Sequence, residues 1–171
     1  MRKATVLALV LGCLCVFGWS ASAAEKKAAA KKPAAAAKPT HVIMSEGDIK
    51  WVDAPPTMPA GAKMAVLQGD PGKTGMFTLR LKVPDGYKVA AHWHPTAENV
   101  TVISGTFNLG TGDKLDETKT TAMTAGAFGS MPAKMHHFGW SKGETEVQVS
   151  GMGPFKLIYV NPADDPSKAK K

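Results

Sequence analysis

From about residue 60 onward, short apolar runs alternate with clusters of turn residues. Phe77-Thr78-Leu79-Arg80-Leu81-Lys82-Val83 alternates apolar with polar at period two, the mark of a strand with one face inward. The pattern predicts strands at Met64–Leu67, Gly75–Val83, Val89–Trp93, Val100–Ser104, Phe107–Leu109, Ala127–Met131, His136–Trp140, Glu144–Ser150 and Phe155–Val160. Between them stand Gly69-Asp70-Pro71-Gly72, Pro84-Asp85-Gly86, Gly110-Thr111-Gly112-Asp113 and Ser141-Lys142-Gly143, whose glycines, prolines and aspartates favour turns. No convincing helical stripe is present. Many short antiparallel strands imply a sandwich or barrel, because closure or two facing sheets hides the edges. There is no internal repeat, so residues 41–161, 121 in all, read as one all-β domain.

The flanks read differently. Arg2 and Lys3 precede an apolar run from Ala4 to Gly18, and small residues follow at Ser20-Ala21-Ser22-Ala23-Ala24. That order predicts a signal peptide over residues 1–23, with cleavage after Ala23 or Ala24, and a secreted or periplasmic location. The run is short for a membrane span, which needs about 20 residues, so no stable membrane insertion is expected. Val10-Leu11-Gly12-Cys13 resembles a lipoprotein cleavage box, but the apolar stretch continues through Leu14, Val16 and Phe17, which favours ordinary cleavage. Both cysteines, Cys13 and Cys15, lie in this segment, so the processed chain is expected to have neither a disulfide nor a thiolate site.

Charge follows the same division. The sequence carries a formal net charge of +7. Residues 24–40 contain eight Ala, five Lys and two Pro, which predicts a disordered linker; weak contact with an anionic surface is its sharper alternative reading. Residues 162–171 form a basic tail, whereas ten lysines and Arg80 balance eleven acids over 41–161. A nucleic-acid-binding domain carries its charge on the folded part, so that class of partner is excluded for this domain.

The candidate chemistry centres on His92-Trp93-His94. On a strand His92 and His94 share a face, offering two imidazoles side by side. Pro95 interrupts pairing, Glu98 can return toward that face, and His137 is positioned to join from another predicted strand. Imidazoles with a carboxylate suit first-row divalent ions. Gly86, His92, His94, Glu98 and Gly105 match the motif G-x5-H-x-H-x3-E-x6-G, and Gly126, Pro132 and His137 match most of G-x5-P-x-G-x2-H-x3-N. Lys134 and Ser141 replace the second motif's inner glycine and its asparagine. Over roughly residues 60–160 the chain therefore resembles the cupin superfamily.

That resemblance implies a single jelly-roll β-barrel with one divalent metal ion (Mn, Fe, Ni, Cu or Zn) in its mouth, held by His92, His94, Glu98 and His137. It also implies a small-molecule ligand or substrate and a homodimer through an outer strand. The leading functional expectation is a metal-dependent oxygenase or lyase, in which Glu98 doubles as ligand and proton acceptor. The alternative is a non-catalytic cupin module of the cell envelope that binds a metal or small ligand. His136 should face away from His137 as a packing or surface residue, and His41 should be solvated. Arg80 reads as solvent-facing, with a substrate-carboxylate clamp as the sharper alternative. Met135 reads as core, with pocket lining as the alternative, and Gln148 and Tyr159 as candidate supports of the site.

Overall fold

The computed structural model describes residues 41–168. The expected signal peptide and linker lie outside the described residues, as do the last three residues of the tail. The described chain forms nine strands: β1 (Val52–Asp53), β2 (Lys63–Gln68), β3 (Gly75–Val83), β4 (Lys88–Trp93), β5 (Glu98–Thr111), β6 (Thr121–Thr124), β7 (Phe128–Met131), β8 (His137–Gly153) and β9 (Ile158–Tyr159). Helical structure among the described residues is confined to 3-10 turns, at Glu46–Asp48, Glu117–Lys119, Pro162–Asp164 and Pro166–Lys168.

All strand pairs are antiparallel, in the order β1-β2-β3-β8-β4-β9, with β5 pairing β8, β7 and β6. The sheet curls on itself because β8 has three neighbours. Its C-terminal half pairs with β3 and the start of β5, while its N-terminal half pairs with β4 and the end of β5. This is the expected all-β, jelly-roll barrel.

Alternation builds the interior. Leu79 and Leu81 on β3 lie opposite Val149 and Val147 on β8, which in turn face Val100 and Val102 on β5. Phe77, Leu79, Val100, Val102, Met123, Met131, Val147 and Val149 form the main buried cluster. Each such side chain stabilises the fold by about 1.5–3 kcal/mol on burial, before conformational entropy is counted.

Two expected boundaries are corrected. Val100–Ser104 and Phe107–Leu109 belong to one fourteen-residue strand, β5, and the expected His136–Trp140 and Glu144–Ser150 merge into one seventeen-residue strand, β8, which begins at His137. The turn residues Ser141-Lys142-Gly143 serve as a bend within β8. There the two long strands cross the barrel side by side, and register shifts between Val102, Ser104 and Thr106 absorb the curvature. Gly105 takes φ +75° at this bend, and a Cβ on it would collide with the Glu144 carbonyl oxygen. The short strands β1 and β6 carry no strong alternation and went unread, while β9 keeps only Ile158 and Tyr159 of the expected Phe155–Val160.

Candidate metal centre

His92 lies near the end of β4, His94 just beyond it, Glu98 opens β5 and His137 opens β8. β4 and β8 place His92 and His137 directly opposite each other, and a register irregularity between Val89 and His92 sets that match. His94 and Glu98 flank the short break around Pro95. All four side chains are buried. One ligand-capable ring nitrogen from each of the three histidines falls within 4.8 Å of the other two. Glu98 Oε2 lies 3.1 Å from His137 Nε2 and 3.5 Å from His94 Nε2.

Each imidazole is held from behind by a backbone carbonyl. His92 Nδ1 is 2.8 Å from Ala90 O, His94 Nδ1 2.8 Å from Lys156 O, and His137 Nδ1 2.9 Å from Met135 O. A carbonyl oxygen only accepts, so Nδ1 must be the protonated donor in all three rings. In each neutral ring Nε2 then carries the lone pair. His94 and His137 Nε2 are buried without a hydrogen-bond partner, since the approach of Glu98 is an ion-pair contact rather than an aligned hydrogen bond. Buried polar atoms are rarely left unpaired, and carbonyl-anchored imidazoles are the usual support of metal-binding histidines. The donor set therefore fits a first-row divalent ion.

Electrostatics agree. Burial pushes His92 down to about 3, helped by the neighbouring His137 and His94 rings. Burial likewise lowers His94 against the upward pull of Glu98. Burial opposes ionisation of Glu98, but the contact with His137 and the surrounding imidazoles hold its carboxyl below the usual carboxylate range. His137 is raised, because Glu98 outweighs the effect of burial. The carboxylate and the His137 ring thus favour each other's charged forms, whereas burial works against charge on His92 and His94.

The centre opens into a cavity of about 650 Å³ whose lining is mostly aliphatic and aromatic. Phe155, unassigned in the sequence reading, stacks on His94 at 4.1 Å between ring centroids with the planes 16° apart, and it packs in turn on buried Phe77. Its sequence signals were a neighbouring proline and its place at the start of the expected strand Phe155–Val160.

The other candidates fall elsewhere. Arg80 faces away from the cavity, with Nη1 2.9 Å from Glu146 Oε1 and Nε 3.3 Å from Gln148 Oε1. It is thus tied within the sheet rather than bare to solvent, and Gln148 is its partner rather than a support of the histidines. Met135 is exposed and only its carbonyl serves the site. His136 points outward to Asp113 at 2.6 Å, and His41 is exposed. Tyr159 lies with its ring 6.2 Å from that of His92 and donates its hydroxyl to Thr57 O.

The two motif departures have structural consequences. Lys134 adopts φ +64°, alone among the described non-glycine residues, and its N–H donates to His94 O at 2.8 Å. Ser141 is fully buried; its hydroxyl donates to Pro84 O at 2.6 Å and accepts from Tyr87 N at 3.0 Å, fastening β8 to the turn before β4.

This architecture is the cupin fold, and the His-His-Glu-His spacing resembles the cupin motif. Solved structures agree: an RmlC-like cupin from Shewanella frigidimarina matches at 14% identity and TM-score 0.52, over 66% of this chain and 91% of its own. The polyketide cyclase RemF from Streptomyces resistomycificus matches at 17% identity and TM-score 0.59, over 75% and 92%. A sugar phosphate isomerase of the cupin superfamily from Silicibacter pomeroyi matches at 18% identity and TM-score 0.53, over 68% and 80%. Likeness at these identities shows the fold. No curated protein sequence matches. The chain belongs to the family DUF4437, a domain of unknown function, whose model matches residues 19–157.

Proposed function

We propose that this protein is an exported, mononuclear-metal cupin enzyme, an oxygenase or lyase acting on a small organic molecule. The supporting observation is the set of carbonyl-anchored histidines aimed, with Glu98, into one end of a largely apolar cavity. His92, His94 and His137 would hold the ion through Nε2, with Glu98 as fourth ligand. A divalent ion there supplies Lewis-acid polarisation of a substrate oxygen or, if redox-active, dioxygen chemistry. The residues do the remaining work. The backbone anchors keep the rings from turning away, and the apolar walls exclude water. Glu98, whose carboxyl is held below the usual carboxylate range, would accept the substrate proton if it loosened from the ion. The polyketide cyclase and the sugar phosphate isomerase show that relatives of this fold include enzymes.

One observation favours a binding module as the second reading. Glu98 is the only buried carboxylate on the cavity lining among the described residues, so firm ligation by it would leave no buried base for catalysis. Export rests on the N-terminal residues 1–23, and a homodimer on the resemblance to cupins. Elemental analysis of protein taken from its native compartment should find one transition-metal ion per chain. Oxygen uptake and product analysis against a panel of small phenols and acids then separates enzyme from binder. Protein isolated without metal, and unable to take one up, would sink the enzyme and the metal-binding form of the module.

A further inference from the structure

The cavity has one polar end. The walls come from strict alternation: Leu79 and Leu81 of β3 turn inward opposite Val149 and Val147 of β8. The cations between and beyond them turn outward. Arg80 and Lys82 both reach Glu146 on the outer side of that strand pair, Arg80 at 2.9 Å and Lys82 at 3.7 Å. Besides the histidine–glutamate centre, the charged residues on the lining are Asp70 and Lys156, both exposed, and Asp70 is paired with Lys73.

The neighbouring phenols are committed too. Residues 54–59 run along the cavity, contributing Pro55, Thr57 and Met58 to its lining. Two tyrosines strap this segment in place: Tyr159 Oη donates to Thr57 O at 2.8 Å and Tyr87 Oη to Pro59 O at 2.7 Å. Neither phenol is left to greet a polar ligand.

From this we infer the class of ligand: a molecule with a single oxygen-bearing head and an uncharged, apolar body. The head meets the metal centre, which rests on the function proposed above; the body fills the apolar walls. A volume of about 650 Å³ lies within the range of about 300–1,000 Å³ that takes drug-sized organic molecules. A second anionic group at the far end of the ligand would be stripped of water against Leu and Val side chains with no buried cation to pair it, which disfavours sugar phosphates and dicarboxylates.

The test uses the full-length protein with the neutral fluorophore N-phenyl-1-naphthylamine as reporter. Displacement is measured with n-alkyl hydroxamic acids of increasing length, and with glucose 6-phosphate and succinate. Each added methylene should tighten binding about fourfold until the cavity is full. That length dependence should persist in chelator-treated protein, with the whole series shifted weaker by loss of the head-group contact. Glucose 6-phosphate and succinate should fail to displace at a hundredfold higher concentration. Flat length dependence, or displacement by either anion in the range of the hydroxamates, overturns the inference. Metal content of the untreated protein separates the two failures: untreated protein that holds no metal and takes none up, with the length series intact, sinks the proposed enzyme and the head-group contact but keeps the apolar body, whereas retained metal with anion preference sinks only the ligand class.

Discussion

Replacing Phe155 with leucine should weaken metal binding although Phe155 is not a ligand. The residue positions His94 together with its neighbour: its ring stacks on the imidazole at 4.1 Å, while Lys156 O, one residue on, takes the Nδ1–H at 2.8 Å. Leucine keeps the carbonyl anchor and most of the apolar bulk but removes the flat face that fixes the ring plane. A stacked aromatic pair contributes about 0.5–1.5 kcal/mol beyond its buried area. At about 1.4 kcal/mol per tenfold, that is a loss of roughly two- to tenfold in affinity. The assay is zinc competition against a chromophoric chelator at fixed pH, with urea unfolding of the metal-free protein run alongside. Phe77→Leu is the control. Phe77 supports Phe155 at 4.9 Å without touching the imidazole, and it is fully buried. That change should cost about 1–2 kcal/mol of stability with a smaller effect on metal. If Phe155→Leu binds zinc as tightly as the parent, or if Phe77→Leu weakens zinc more than Phe155→Leu does, the stacking argument is wrong.

The pH dependence of metal affinity follows from His137, which is raised by Glu98. An incoming ion must expel the proton, so affinity should fall about tenfold per pH unit below the His137 pKa and be flat above it. In Glu98→Gln the main raising partner is gone and burial is opposed only by the Met135 carbonyl, so the break should move to lower pH while the plateau drops. Isothermal titration across pH checks both, and an unmoved break counts against the pairing. Lys134→Gly should stabilise the fold by roughly 0.5–1 kcal/mol in urea unfolding, because relief of the left-handed conformation exceeds the added chain entropy. Metal-free protein offered equimolar manganese and copper should take copper, as an imidazole-rich site ranks divalent ions; uptake of manganese would mean that geometry overrides intrinsic affinity.

Much of the site was legible in the chain because its spacing is local. His92 and His94 share a face by strand alternation, and Glu98 follows after a break of fixed length. β3 was read at its true limits because alternation runs unbroken from Phe77 to Val83. β5 and β8 were each split at a point where turn residues are used to bend a strand, and local chemistry is the same for a bend and a turn. Lys134 was read as a replaced glycine, and the structure keeps the backbone conformation that glycine would favour.

By itself, then, the sequence determined which faces turn inward, which residues can meet in the barrel, and the donor types available to an ion. Only the tertiary structure decided what stands behind them. The His94 anchor comes from Lys156, 62 residues away, and Arg80 finds Glu146 across 66 residues. The aromatic face on His94 and the empty space beside it likewise arise from strands brought together by closure. Alternation is a property of neighbours along the chain, whereas ring orientation, ion pairing and cavity shape depend on which distant segments the curled sheet places side by side.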